Sequence, residues 1–218
     1  MKKKCMMVAA TLLAGLTGFG ATYVWIEGES AIKNNLNPNP WVKGDNPALL
    51  SGGDALACLN DNENKLPNPA FVLWKMDVPE DGDYHVYFRH GFMGHCGQMR
   101  YRFIELGADG KPFAKPGPEE GWNTFDLDAK EMDRQPTGQW RTIEWSKQSP
   151  VTLKKGQYYL DLQVTAPNPG HTNDQLVWTL IDAICLTKEP FTPSGTTKPG
   201  ETSKAATGGG AKGSTDYY

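Results

Sequence analysis

Short apolar or alternating runs, separated by turn residues, dominate this sequence and leave no long segment with a helical period. Such runs are typical of β-strands, and the Gly, Pro, Asn and Asp residues between them favour turns. Many short strands joined in this way predict an all-β domain, either a sandwich or a barrel. The predicted strands are YVWIEGE, ALACL, AFVLWKMDV, YHVYFRH, MRYRFIEL, WRTIEWS, VTLKK, YYLDLQVTA and LVWTLIDAICL.

The stretch from Gly107 to Gln139 is the longest interruption of this strand pattern. It is too long for a tight hairpin, and it is rich in Pro, Gly and acidic residues. We therefore expect one long loop insertion on the surface, with a helical turn around LDAKEMDR. Long loops on a rigid sandwich often carry binding function.

Both ends of the chain differ from this central region. Residues 1–21 combine three lysines, an apolar stretch and small residues at Gly18 and Gly20, the layout of a secretory signal peptide. Residues 196–218 are rich in Gly, Thr, Ser and Lys, so they predict a flexible tail that buries too little apolar surface to fold. The sequence thus predicts a folded domain over residues 22–195 in an exported protein, either extracellular or at the cell surface, with the periplasm as an alternative. A signal that begins with lysines suits a bacterium.

The mature chain is acidic. Removal of the signal takes three of the 22 Lys and Arg residues and none of the 25 Asp and Glu residues, so the formal charge becomes 19 − 25 = −6. An acidic surface without basic clusters argues against nucleic acid or an anionic membrane as the partner.

Three cysteines remain after the signal: Cys58, Cys96 and Cys185. An odd number leaves either an unpaired thiol or an intermolecular disulfide, which would permit self-assembly. Cys185 lies in the apolar run WTLIDAICL and is predicted to be a buried thiol. Cys58 with Cys96 is the one intrachain pair that we consider, and the sequence does not decide whether it forms.

Three carboxylates interrupt apolar strands at the two ends of the domain. Because strand side chains alternate, Glu27 and Glu29 are expected to project from one face, beside Trp25. Asp182 lies in the last apolar run, where a lone carboxylate is costly to bury. If the first and last strands are neighbours, the three could converge with backbone carbonyls near Gly52 in a Ca²⁺ cage. The alternative is that Glu27 and Glu29 are simply solvated.

The order of several motifs resembles a known family. WIEGESA, SGG, VLWKMDVPEDGDYHVYFRHG, a DGKP turn, VTLKKGQYYLDLQV and LIDAICLTKEPFTPSG follow one another as in carbohydrate-binding modules of families 6 and 35. The resemblance implies a jelly-roll-type antiparallel β-sandwich of the galactose-binding-domain-like group. It also implies that an E-x-E pair and an aspartate of the last strand hold a structural calcium ion, which gives that role to Glu27, Glu29 and Asp182.

Sugar binding calls for exposed aromatic rings flanked by polar groups. Trp41 and Trp122 lie in loop-like stretches and are the aromatic candidates, although either could simply pack within its loop. The resemblance implies a site on the loops at one end of the sandwich, with an asparagine before the last strand. Asn173 is the best match for it, with His171 and Asp174 beside it.

Enzymatic activity has little support in the sequence. His90, His95 and Cys96 lack the spacing of a zinc site, and no G-x-S-x-G motif is present. The acidic pairs Glu119/Glu120 and Asp126/Asp128 are more typical of solvated loops than of a glycosidase. We therefore expect a non-catalytic, secreted carbohydrate-binding protein. The alternative is an extracellular structural or adhesive protein that keeps the sandwich without binding sugar.

Overall fold

The computed structural model describes residues 22–92, 97–112, 117, 119–126, 129, 131–139, 141–166 and 176–201. These residues form eleven β-strands, with short 3-10 helices at Gly28–Ser30, Pro40–Lys43, Pro47–Leu49 and Ser51–Gly53. The strands are β1 (Tyr23–Glu27), β2 (Lys33–Asn34), β3 (Leu56–Asn60), β4 (Ala70–Val78), β5 (Gly82–Phe92), β6 (Gln98–Leu106), β7 (Asn123–Thr124), β8 (Glu131–Gly138), β9 (Arg141–Leu153), β10 (Gly156–Ala166) and β11 (Val177–Thr187).

Two antiparallel sheets form the molecule. The six-stranded sheet has the order β1-β11-β5-β9-β8, and β3 also pairs with β11. The five-stranded sheet has the order β2-β4-β10-β6-β7. The prediction of an all-β antiparallel sandwich is therefore confirmed, and β4 has the predicted bounds of the run AFVLWKMDV.

The main core lies between the two sheets and follows strand alternation. In β4, Val72, Trp74 and Met76 are buried while the residues between them are more exposed. In β11, Ile181 and Ile184 both face this core although they are three residues apart, because the pairing of β11 with β5 shifts register between Ile181 and Ala183. The alternation seen in β4 gives a strand an inner, apolar face and an outer face.

The outer face of the six-stranded sheet is also covered. The segment that includes Val42, Leu50 and Ala55 packs on Leu180 and Ile143 in a second apolar cluster. Farther along the sheet, a third cluster forms around Trp145 and Cys185, with Tyr23, Trp25, Met132 and Phe191 packed against it. Trp41 and the carboxylates described below lie on this covered outer face.

The expected long loop between Gly107 and Gln139 is only partly right, because it contains two strands. β8 pairs with β9 at the edge of the six-stranded sheet, so the helical turn expected around LDAKEMDR is wrong where that run overlaps β8. An ion pair from Arg134 to the buried Glu144 holds β8 against β9. Pro136 is tolerated because β8 is an edge strand.

Both predicted terminal segments extend beyond the described structure. Residues 1–21, the predicted signal, and residues 202–218 lie outside it. The described chain continues to Glu201 and so includes the first six residues of the predicted tail, 196–201. Among the described residues, no helix has the length and apolar character needed to cross a membrane.

Cys58 and Cys185 are both free and buried. Burial raises the pKa of both thiols, that of Cys58 to about 11. The predicted burial of Cys185 is therefore confirmed, and an intermolecular disulfide would have to use Cys96, which lies outside the described residues.

Candidate functional site

A break between two edge strands lies at the centre of the candidate cation site. β1 pairs with the second half of β11 and β3 with the first half, so Asp182 lies opposite the break. Gly28 follows β1 and passes so close to β11 that an added Cβ would lie 1.8 Å from the Ile181 carbonyl oxygen. A residue with a side chain does not fit this approach without movement of the backbone.

The break brings the three predicted carboxylates close to the Ser51–Gly53 turn. Asp182 Oδ1 accepts a hydrogen bond from the Ser51 N–H at 2.9 Å. A Cβ on Gly52 would lie 3.1 Å from Glu29 Oε1 and 3.9 Å from the Glu27 carboxyl carbon. We call Glu27, Glu29, Asp182 and Ser51–Gly53 the acidic junction.

Asp182 is already paired with a cation. It and Arg89 are both fully buried, and Arg89 Nη1 lies 2.6 Å from Asp182 Oδ2. Arg89 also donates to the Leu49 carbonyl at 2.6 Å and to Gln135 Oε1 at 3.3 Å. Burial raises the pKa of Asp182 to about 6, and the Arg89 charge limits that rise. Arg89 was not predicted as the partner of Asp182, although a charged residue inside the run YHVYFRH was a signal for it.

Glu27 has one satisfied and one unsatisfied carboxylate oxygen. Trp25 Nε1 donates to Glu27 Oε1 at 3.0 Å, and Lys198 Nζ lies 3.6 Å from the same oxygen. Glu27 Oε2 is buried and has no hydrogen-bond partner among the described residues. Trp25 and Glu27 thus share a face, as strand alternation predicts.

Glu29 reaches the acidic junction differently from the way that the sequence predicted. β1 ends at Glu27, so Glu29 projects from a 3-10 helix, and the expectation that it continues the strand is wrong. Loss of solvent raises the pKa of Glu29 to about 7, and the negative charges of Glu27, Asp54 and Asp182 add to the rise. The carboxylates are therefore close enough to repel each other.

The acidic junction fits a hard cation in part. In the part of the chain that the structure describes, no group of three or more His, Cys, Asp or Glu side chains is placed to hold a metal ion. At this site both Asp182 oxygens already have partners, the Ser51 N–H and Arg89. Two features of cation ligands remain. Glu27 Oε2 is buried without a partner among the described residues, and the negative charge of Glu27 repels that of Glu29.

Trp41 is held on the outer face of the six-stranded sheet with 45% of its surface exposed. Its ring packs edge to face on Trp178, with centroids 5.0 Å apart, and the Arg141 guanidinium lies 4.4 Å from its centroid. The local fold follows from Asn39 and Pro40, because Asn39 Oδ1 accepts from the Trp41 N–H at 3.0 Å and Pro40 begins the 3-10 helix.

An exposed carboxylate is fixed beside Trp41. Arg141 Nη2 donates to both oxygens of Asp45 at 2.8 and 2.9 Å, and Arg141 also donates to the Trp41 carbonyl. Arg141 is 6% exposed, whereas Asp45 is 72% exposed, so a buried cation holds a solvent-facing anion. A second ion pair joins Lys43 to Asp54 on the same segment. Neither Asp45 nor Arg141 was predicted, because nothing local in the sequence joins them.

Trp41 lies at one end of the sheet. Arg141 is the first residue of β9 and Trp178 is near the start of β11, and these two strands run in the same direction because each is antiparallel to β5. The connection from β10 enters β11 at this end. The candidates in that connection, Asn173, His171 and Asp174, lie outside the described residues.

Trp122 lies on the opposite side of the molecule. It packs over Arg100 and Arg102 of β6, whose guanidinium carbons are 4.3 and 4.1 Å from its ring centroid. Met99 and Tyr101 alternate with these arginines and face the core, so Trp122 covers the outer face of the five-stranded sheet. Trp41 and Trp122 therefore lie on different surfaces and do not form the single site that the sequence suggested.

The residues considered for catalysis have structural partners. His90 is buried, its Nδ1–H donates to the Gly91 carbonyl at 3.1 Å, and its Nε2 accepts from the Ser146 hydroxyl at 3.0 Å. Burial lowers the pKa of His90 to about 4. Glu119 pairs with Arg100, and Glu120 accepts from the Gly117 N–H. His95, Cys96 and Asp128 lie outside the described residues.

Comparisons with known proteins find similar chains among solved structures. No family model matches the sequence, and no curated protein matches it significantly. Among solved structures, a family 35 carbohydrate-binding module from an environmental isolate has 18% identity and a TM-score of 0.41, with 75% of this chain and 91% of that chain covered.

Two further structures belong to the same pair of families. A family 35 module from Clostridium thermocellum has 16% identity and a TM-score of 0.38, with 76% of this chain and 98% of that chain covered. A family 6 module of lichenase 5A from Cellvibrio mixtus, in complex with cellotriose, has 11% identity and a TM-score of 0.36, with 79% and 100% covered. All three structures are carbohydrate-binding modules of the two families that the sequence resembles.

Proposed function

We propose that this protein is a secreted, non-catalytic carbohydrate-binding protein whose ligand contacts Trp41. The observation that carries the proposal is the fixed position of a partly exposed tryptophan beside a buried arginine and an exposed carboxylate. Trp41 is one of two large apolar side chains that are exposed among the described residues. An aromatic ring with polar groups placed around it is the arrangement that a sugar ring requires.

The parts of this site have separate roles in the proposal. The exposed surface of Trp41 stacks on the apolar face of a pyranose ring. Asp45 accepts hydrogen bonds from sugar hydroxyls through lone pairs that Arg141 does not use. Arg141 and Trp178 hold the Trp41 ring in place before the ligand arrives, which lowers the entropic cost of binding. Asn173, His171 and Asp174 belong to the same proposed site because their connection enters β11 beside Trp178.

We also propose a structural calcium ion at the acidic junction. Calcium, when bound, would supply the positive charge that offsets the carboxylates and would tie β1 to the Ser51–Gly53 turn. Glu27 and Glu29 would hold it together with backbone carbonyls. Asp182 would hold the Ser51–Gly53 turn in place through the Ser51 N–H and would not bind the ion itself, because Arg89 and that N–H already engage its oxygens.

The proposed glycan site is tested by comparing two exposed apolar side chains. Trp41→Ala should weaken binding to any polysaccharide that retards the wild type by about fivefold or more, because stacking of a ring on one aromatic side chain is worth about 1–3 kcal/mol. Ile32→Ala is the matched control, because Ile32 is 55% exposed and lies away from Trp41, beside β2. Affinity electrophoresis in polysaccharide-containing gels measures both. Equal retention of wild type and Trp41→Ala, in folded protein, would refute the site.

A further inference from the structure

The last described segment, residues 189–201, lies across the outer face of the six-stranded sheet, and we call it the C-terminal strap. Phe191 packs edge to face on Tyr87, with centroids 4.9 Å apart. Trp145 Nε1 donates to the Gly195 carbonyl at 2.8 Å, and the Gly195 N–H donates to Asp133. Specific contacts of this kind hold the C-terminal strap on the sheet.

The C-terminal strap ends at the acidic junction. Lys198 Nζ lies 3.6 Å from Glu27 Oε1 and 5.4 Å from the centroid of the Trp25 ring. Two hydrogen bonds shape the turn that presents it: the Lys198 N–H donates to Glu201 Oε2 at 3.1 Å, and the Glu201 N–H donates to the Lys198 carbonyl at 3.0 Å. The Lys198 ammonium is therefore held near Glu27 by backbone geometry as well as by charge.

Lys198 and a divalent cation at this position would repel each other. A cation on Glu27 and Glu29 would share the Glu27 carboxylate with an ammonium that is 3.6 Å from one of its oxygens. Two like charges at such separations destabilise each other even near a protein surface. Binding couplings are reciprocal. A cation that weakens the contact between Lys198 and Glu27 therefore binds more weakly while that contact is in place.

We propose that Lys198 is a built-in counter-cation of the acidic junction, and that a divalent cation bound there competes with it and loosens the C-terminal strap. The inference rests on the cation site proposed above. The C-terminal strap then has a role in cation binding, whereas the sequence predicted only a flexible tail from residue 196 onward. Without a divalent cation the ammonium balances the charge of Glu27, and a bound cation releases the end of the strap near Lys198.

Calcium titration of variants in the full chain tests the competition. Lys198→Met removes the charge and keeps an aliphatic side chain on Trp25, so the calcium Kd measured by isothermal titration calorimetry should fall about two- to fivefold, the size expected for a partly exposed ion pair. Lys188→Met is the matched control, because Lys188 is 33% exposed against 35% for Lys198 and pairs with Glu80 at 3.4 Å, away from the junction. Its calcium Kd should equal that of the wild type.

Hydrogen–deuterium exchange followed by mass spectrometry supplies the second readout. With calcium, peptides that cover residues 192–201 should exchange faster in the wild type, because the N–H groups of Gly195, Thr197 and Glu201 lose protection. Peptides of β10 should not change. Unchanged or slower exchange in the strap of calcium-loaded protein would overturn the proposal.

The titration also separates this proposal from the one on which it rests. If wild type and Lys198→Met bind calcium equally, the cation site stands and the competition is refuted. If no variant binds calcium, both the cation site and the competition are refuted, while the Trp41 site is judged by its own test.

Discussion

Asp182 shows at the scale of one residue what a buried carboxylate requires. Its position in an apolar strand predicts a partner, because an unpaired charge is costly to bury. The sequence could not identify Arg89 as that partner, since the two are 93 positions apart and only the pairing of β5 with β11 joins them. The same limit applies to Asp45 and Arg141, which are 96 positions apart.

The Arg89–Asp182 pair makes a prediction about stability. Arg89→Met should lower the free energy of unfolding by about 3–5 kcal/mol, because it leaves a buried carboxylate without its cation. The double variant Arg89→Met/Asp182→Leu should lose much less than the two single variants together. Urea-unfolding curves measure all three, and single-variant losses that add to within about 0.5 kcal/mol in the double variant would contradict a coupled pair. For the same reason Asp182 is a poor position at which to test calcium binding alone.

At the scale of strands, the sequence predicted best the elements with strong apolar alternation. β4 and β10 match predicted runs because apolar residues alternate along each strand and form one face that points into the core. β8 was missed because its residues, EMDRQPTG, are polar and its place depends on pairing with β9. Two predicted runs, WRTIEWS and VTLKK, fall on the single strand β9. Pro150 between them does not end the strand, because it lies beyond the part of β9 that pairs with β8.

The break between β1 and β3 depends on Gly28. Gly28→Ala should lower the free energy of unfolding by about 3 kcal/mol, because the new Cβ overlaps the Ile181 carbonyl and forces β1 away from β11. Gly156→Ala in β10 is the control, since its nearest atom would lie at an ordinary 3.8 Å. Thermal and urea unfolding measure both variants. Equal effects would mean that the close approach at Gly28 is not a constraint.

At the scale of the whole molecule, calcium is predicted to act through stability. A ligand at 100 times its Kd that binds only the folded state adds about 2.7 kcal/mol, which for a domain of this size raises the Tm by about 5–10 °C. EDTA should reverse this gain in the wild type and have no effect on Glu29→Gln. Glu63→Gln, an exposed acid outside the acidic junction, is the control and should respond as the wild type does. If calcium does not change the Tm of the wild type, the calcium site is refuted and Glu27 and Glu29 are simply a solvated pair.

The fold and the two candidate sites were predictable to different degrees. Strand periodicity was enough for the sandwich, and motif order was enough to place Glu27, Glu29 and Asp182 near one another. The division of Trp41 and Trp122 between opposite outer faces was not predictable, because both lie in loops whose course depends on tertiary contacts with Trp178 and Arg102.

Glycan binding is tested best by a glycan array of the chain from Thr22 onward, run with calcium and then with EDTA. We expect binding to a coherent set of polysaccharides with calcium and weaker binding with EDTA. If protein that circular dichroism shows to be folded binds no glycan on a broad array, glycan binding is refuted. That result would favour the extracellular structural or adhesive role.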